Sequence, residues 1–249
     1  MTLQTAMAAA AGLVALAFWL SILERWMARR RPHELAWTIS LAMFTLASAA
    51  FWVGAAAGWD GLSFRLFYLF GAILNVPFLA LGTVYLLGGR RRGDRWAVVI
   101  VLGSAFAAGV VLVAPFDAPI PVHRLPQGSE VFGPLPRVLA AVASGVGALV
   151  VVGGAVWSAR RARRRAPDRN PADARRLAWA NVMIAAGTIV LGVGGVLNSA
   201  LGEMEAFAVS LVIGIAAIFC GFLVASAPVG APADRVPAVT PVVTGLPPD

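Results

Sequence analysis

The chain of 249 residues contains no lysine at all. No side-chain amine is therefore present to form an imine with a carbonyl ligand or substrate. There is one cysteine, Cys220, so no disulfide closes within the chain and no thiolate cage forms around a metal. In an apolar stretch it reads as a small packing residue. Histidine is equally scarce: His33 and His123 are the two, and HExxH and CxxC motifs are absent. The glycines lie inside apolar runs instead of forming a phosphate-cradling loop ahead of a helix. No nucleophile with a paired base can be recognised. The sequence thus names no catalytic residue, no metal ligand and no cofactor. Charge is scarce too, at 13% of residues against 59% hydrophobic, a balance untenable for a soluble domain of this length.

What is present is a set of seven apolar stretches. They run approximately over Thr5–Leu23, Leu35–Gly58, Leu62–Gly88, Trp96–Val113, Arg137–Ala159, Leu177–Leu201 and Ala206–Pro228. A hydrocarbon layer about 30 Å thick takes roughly 20 such residues of helix. The expectation is an all-α, polytopic seven-helix transmembrane bundle over residues 1–229, followed by a disordered cytoplasmic tail over 230–249. The first stretch lacks a basic leader before it and carries its arginines after it. That order fits a permanent helix better than a cleaved signal.

Arginine sets the threading. Sixteen of the twenty basic residues fall in three alternate loops, around Arg25–Arg31, Arg90–Arg95 and Arg160–Arg176. The opposite face carries Arg65, Arg124 and Arg137 against Asp60, Asp117, Glu130, Glu203 and Glu205. The positive-inside rule then predicts an external N-terminus and a cytoplasmic C-terminus. Trp26, Trp37, Trp96, Trp157 and Trp179 fall at the expected inner boundary and Trp59 at the outer one, as interfacial tryptophans do. A lysine-free composition rich in Ala, Gly, Arg and Pro also points to a GC-rich bacterial genome, hence to the plasma membrane. The basic loops find their partner in the lipid bilayer and its anionic headgroups. Arg160–Arg176 is in addition a candidate dock for an acidic cytoplasmic protein. Nothing alternates basic and aromatic residues in the manner of nucleic-acid binding.

No carboxylate lies deep within a segment; Glu24 and Glu34 read as flanking the inner surface. Ionisable groups at mid-membrane usually mark proton or ion pathways, so this pattern argues against a pump. Polar interest centres on the third segment. Arg65, Tyr68, Ala72, Asn75, Leu79 and Gly82 recur at three- and four-residue spacing and predict one stripe, with a kink at Pro77. Such a stripe either lines a ligand pocket or serves as interhelical glue. Arg65 is expected to snorkel outward, or to pair with Asp60 or an acid of the sixth-to-seventh loop. The sixth segment offers Asn181, Ala185, Thr188, Gly192, Gly195 and Ser199, with Asn198 alongside. If the two faces meet, Tyr68, Asn75 and Thr188 converge. The candidate ligand-binding set is therefore Arg65, Tyr68, Asn75, Thr188 and Asn198.

Two further patterns bear on function. Leu35-Ala36-Trp37 and Leu177-Ala178-Trp179 each follow a basic loop, which hints at two three-helix halves joined by the fourth segment, the layout of a parallel-repeat solute transporter. The loop Pro115–Pro136, with six prolines, reads as a solvated linker or as a semi-rigid lid over the outer mouth.

The run FRLFYLFGAILNVPFLALGTVYLL, Phe64–Leu87, resembles a stretch common in uncharacterised seven-helix membrane proteins of GC-rich bacteria. That resemblance covers mainly the second and third segments and implies no activity. The layout as a whole is similar to the seven-helix sensor modules of bacterial histidine kinases, which implies sensing through a separate partner. It also brings to mind the microbial rhodopsins, whose retinal needs the lysine this chain lacks. The leading expectation is a non-enzymatic sensor or accessory subunit that binds a small or lipid-like ligand. The alternative is a transporter of small uncharged solutes.

Overall fold

The computed structural model describes residues 3–164, 171–201 and 204–226. The expected tail and the arginines Arg165 and Arg169 lie outside the described residues, and so does the side chain of Asn198. Helix α1 covers Leu3–Arg29 and α2 Pro32–Ala57; α3, Gly61–Phe67, continues through a π-helical turn, Tyr68–Leu74, into α4, Asn75–Gly88. These three pieces form the third span. Then come α5, Arg90–Val113, the short α6, Gly128–Val131, and the long α7, Pro134–Arg164, α8, Pro171–Leu201, and α9, Met204–Ser226. Among the described residues seven helical stretches are long and apolar enough to cross a membrane, which makes this a multi-pass membrane protein.

The helices outrun the apolar segments at the arginine end. The first was expected to stop at Leu23 and continues to Arg29; the fourth was expected to start at Trp96 and starts at Arg90. Hydropathy sees only the part in hydrocarbon, whereas backbone hydrogen bonding carries the helix on into the headgroup layer. The turns there are tight. Pro32 occupies the first turn of α2, where its missing N–H costs nothing. Gly89, at φ 78°, joins α4 to α5 in a conformation that a Cβ would strain.

Six spans form a ring. α1 packs on α2, α2 on the third span, the third span on α7, α7 on α8, α8 on α9, and α9 back on α1. α5 stands outside, against the third span. In hydrocarbon, apolar burial drives little association, so close approach and interhelical hydrogen bonds hold such a ring. On α1 the buried side chains include Thr5, Ala8, Ala11, Ala15, Phe18 and Ile22, one face at three- and four-residue spacing. Where α8 meets α9, a Cβ on Gly187 would lie 2.6 Å from the Gly214 carbonyl oxygen, and one on Gly221 2.8 Å from that of Ala180. Gly147 and Gly154 of α7 sit likewise against Val76 and Thr83 of the third span. The seven-residue steps in both pairs are those of gently crossing, left-handed neighbours.

This face corrects the expected sixth-segment stripe. Gly187 and Gly194 make the contact with α9, while nothing lies within 4 Å of the Cβ positions of Gly192 and Gly195.

The proline-rich connection between α5 and α7, hereafter the lid, is folded against the third span instead of standing free as a solvated linker. The Trp59 amide donates to the Val122 carbonyl at 3.0 Å, Asp117 N–H to Val131 at 3.0 Å, and Phe116 bridges to Phe132. Leu125, Val131 and Phe132 of this connection are fully buried. Each such side chain withdrawn from water contributes about 1.5–3 kcal/mol, which offsets the ordering of a loop that prolines have already stiffened. Arg124 clasps Glu130 through two bonds of 2.8 and 3.0 Å on its surface.

Candidate functional site

The third span carries the features that regular helix geometry does not account for. Asp60 caps it: its carboxylate accepts from the Ser63 amide at 2.7 Å, while the Ser63 hydroxyl accepts from the Asp60 amide at 3.0 Å. Donation to the ionised carboxylate, from the Ser63 backbone first and then from the Ser63 side chain, holds the Asp60 carboxyl below its ordinary range.

Five residues on, Arg65 does not turn back to Asp60, and the acids of the sixth-to-seventh loop, Glu203 and Glu205, lie outside the described side chains. The Arg65 guanidinium donates to the main-chain carbonyls of Val111 and Ala114, the latter at 2.7 Å. These belong to the end of α5, where the last carbonyls have no helical donor and the dipole is negative. The same guanidinium lies 4.1 Å from the Phe116 ring centre and 5.7 Å from that of Phe132. Arg65 thus fastens the peripheral helix and the lid to the third span. Tyr68 is buried beside it, its ring 5.0 Å from Phe132 and so close to Gly128 that a Cβ there would overlap it.

A kink was expected at Pro77; the irregularity the structure shows is the π-helical turn Tyr68–Leu74, upstream of the proline. Hydrogen bonds there close on the fifth residue: the Asn75 amide donates to the Phe70 carbonyl. Continued two residues further, this register would pair Ala72 with position 77, and Pro77 has no N–H to give. The hydroxyl of Ser144 on α7 donates to the Ala72 carbonyl in its place. Ser40 of α2 donates to the Asn75 carbonyl at 2.7 Å, and the Trp37 indole to that of Leu79 at 3.2 Å. Three neighbouring side chains therefore satisfy the main chain around the proline.

The π turn also breaks the predicted stripe. It holds about one residue more than an α-helix would, so residues before it are rotated by roughly 100° from those after. Arg65 and Tyr68 serve the lid, whereas Asn75 lies against α2. Asn75 is buried, and its Oδ1 receives no hydrogen bond.

Thr188 does not join them. α8 packs between α7 and α9, and the Thr188 hydroxyl donates to the Ile184 carbonyl of its own helix at 2.8 Å. Asn198 falls in the last turn of α8, and its side chain lies outside the described residues. Ser40 and Ser144 went unnoticed in the sequence because a serine in an apolar run gives no sign of which carbonyl it will meet. Glu34, in the first turn of α2, is 1% exposed and enclosed by neighbouring helices, which its place at the end of an apolar stretch does not announce.

A groove of about 300 Å³ opens at the lidded end between the end of α5 and the start of α7, along Val110, Val113, Pro115, Asp117 and Leu135. It is shallow, and Arg65, Tyr68 and Asn75 do not line it. No family model, curated protein or solved structure matches the chain.

Proposed function

We propose that this chain is a non-enzymatic membrane sensor or accessory subunit that takes a small or lipid-like, uncharged ligand at the third span. The observation that carries the reading is the buried, unpartnered Oδ1 of Asn75 directly after the π-helical turn. An unmet buried acceptor costs about 1–3 kcal/mol, and a ligand hydroxyl or N–H would recover it. π turns are found disproportionately at functional sites, because their looser register yields to a small force. The polar groups of this neighbourhood, Ser40, Ser144 and Asn75, are neutral, which suits an uncharged guest. Arg65 and Tyr68 link the same span to the lid, so that a change at Asn75 has a route to the lidded face. The test is native mass spectrometry of the protein released from lipid nanodiscs. The wild type should retain a species of defined mass and Asn75→Leu should lose it, with both proteins folded. Equal retention, or none in either, overturns the reading.

The alternative, transport of small uncharged solutes, draws support from the order of the ring. α1, α2 and the third span are followed by α7, α8 and α9 in the same rotational sense, with α5 outside, as two parallel three-helix repeats would be. Uptake of labelled neutral solutes into proteoliposomes would favour it.

In this proposal the arginine end faces the cytoplasm of a bacterial plasma membrane and the lid faces outward. The loop Arg160–Arg176 then meets anionic headgroups or an acidic partner protein. A reporter fused after Arg92 should read as cytoplasmic and one after Gln127 as external; the reverse pattern would sink this orientation.

A further inference from the structure

The groove at the lidded end lies where α5 stops at Val113 and α7 starts at Pro134. One apolar span ends and another begins there, so the groove sits at the depth where hydrocarbon gives way to headgroups. Its walls are valine, leucine, alanine and proline, and Asp117 contributes the single charged side chain among the residues that line it. The main chain holds Asp117 in place: its amide donates to the Val131 carbonyl at 3.0 Å, and the neighbouring Phe116 bridges to Phe132. Asp117 is exposed, and its carboxylate enters no ion pair among the described residues. The arginines that engage the lid are committed elsewhere, Arg124 to Glu130 and Arg65 to the carbonyls of Val111 and Ala114. A Cβ on Gly133 would stand 3.4 Å from Asp117 Oδ2, so a glycine there leaves room beside the carboxylate.

Away from the lid, the groove continues onto apolar side chains of both flanking helices. On α7, Leu135, Val138, Val142, Val146 and Leu149 are each more than half exposed and recur at three- and four-residue spacing. At 1.5 Å per residue this stripe is about 21 Å long, against roughly 15 Å for one leaflet of hydrocarbon. α5, which stands outside the ring, adds exposed Leu102 and Phe106 at the same spacing from Val110 and Val113.

We propose that this groove binds a membrane lipid whose headgroup carries a primary ammonium, of the phosphatidylethanolamine type. The ammonium meets Asp117, and one acyl chain lies along the α7 stripe. Three N–H donors let such a head come within hydrogen-bonding distance of a carboxylate, whereas the methylated head of phosphatidylcholine has no donor and a larger radius. Charge complementarity selects the occupant, since a neutral apolar partner would leave the carboxylate unpaired at the edge of the hydrocarbon. The site is separate from Asn75 and does not depend on the reading given for it.

The test is native mass spectrometry of the full chain in detergent, titrated with phosphatidylethanolamine or with phosphatidylcholine of the same acyl chains. The first phosphatidylethanolamine should bind about tenfold more tightly, the scale of one charge-assisted hydrogen bond. Asp117→Asn should erase the difference, and Asp117→Glu should keep most of it. Equal affinities in the wild type, or a preference that survives Asp117→Asn, overturn the proposal. A lipid-free mass of two chains also overturns it, because the groove would then be a contact between copies. So does displacement of the lipid by an equal concentration of ethanolamine, which would make a free amine the ligand. Should Asp117→Asn fail to fold, Val113→Trp decides: at an 82% exposed position it fills the mouth of the groove, and an undiminished preference there overturns the proposal as well.

Discussion

At the scale of single residues, the chain satisfies its few polar groups by lending side chains to main-chain carbonyls. Arg65 shows the principle at its strongest, since one guanidinium closes the end of α5 and carries two aromatic rings of the lid. Replacing it by alanine removes two charge-assisted bonds and leaves carbonyls unmet. Arg65→Ala should therefore lower stability by about 2–4 kcal/mol. Arg65→Lys, which keeps the charge and loses the fork, should fall between. Thermal unfolding in detergent measures both, and a wild-type melting temperature for Arg65→Ala would refute this account. The presence of Arg65 within a span was plain in the sequence. Its partners were not, because they are main-chain atoms of a helix 46 residues away, which no spacing rule reaches.

At the scale of elements, the apolar length of each span was legible, and so were the first two arginine turns, since hydrophobicity and charge act locally along the chain. The packing faces were harder to read. α8 carries small residues all round, and only the neighbour decides which of them matter. Gly187→Val should push α8 from α9 and cost about 1–3 kcal/mol, whereas Gly192→Val, with open space around it, should be close to neutral. Unfolding of the two variants side by side is the check, and equal losses would show the contact face to be misassigned. The π turn escaped the sequence for a related reason. Pro77 announced that a carbonyl would be freed, but where the register loosens depends on Ser144 and Gly147 of α7, which arrive from elsewhere in the chain.

At the scale of the whole molecule, the lid and the ring order are tertiary facts. Six prolines in one loop limit its flexibility without saying what it covers; Trp59, Phe64 and Tyr68 supply the floor that makes it fold. The lid also has a pH dependence whose sign follows from its charges. The bonds from Arg124 hold the Glu130 carboxyl below its ordinary value of 4.5, and they raise Arg124 in turn. A lowered carboxyl contributes stability that is fully present above its unfolded value and lost as pH falls through the folded one. The Asp60 cap acts in the same direction. Proteolysis within the lid should thus accelerate below about pH 4.5 and stay constant from there to neutrality. The effect is modest, as both members of the pair are exposed, and high salt should reduce it further. A rate that does not change on acidification would mean that the pair does not fasten the lid.

The π turn makes the third span sensitive to length in a way that composition does not reveal. It stores one residue beyond what an α-helix needs between Phe67 and Asn75. Deleting a residue from Tyr68–Leu74 would leave an unbroken α-helix of excellent local geometry. That helix would present Arg65 and Phe64 about 100° away from their present direction. The carbonyls at the end of α5 and the aromatic floor under the lid would then face a different side chain altogether. A shorter, more regular span is thus predicted to be the more damaging change. Among relatives of this chain, insertions and deletions should accumulate in the connections and spare these seven residues, even where their identities drift.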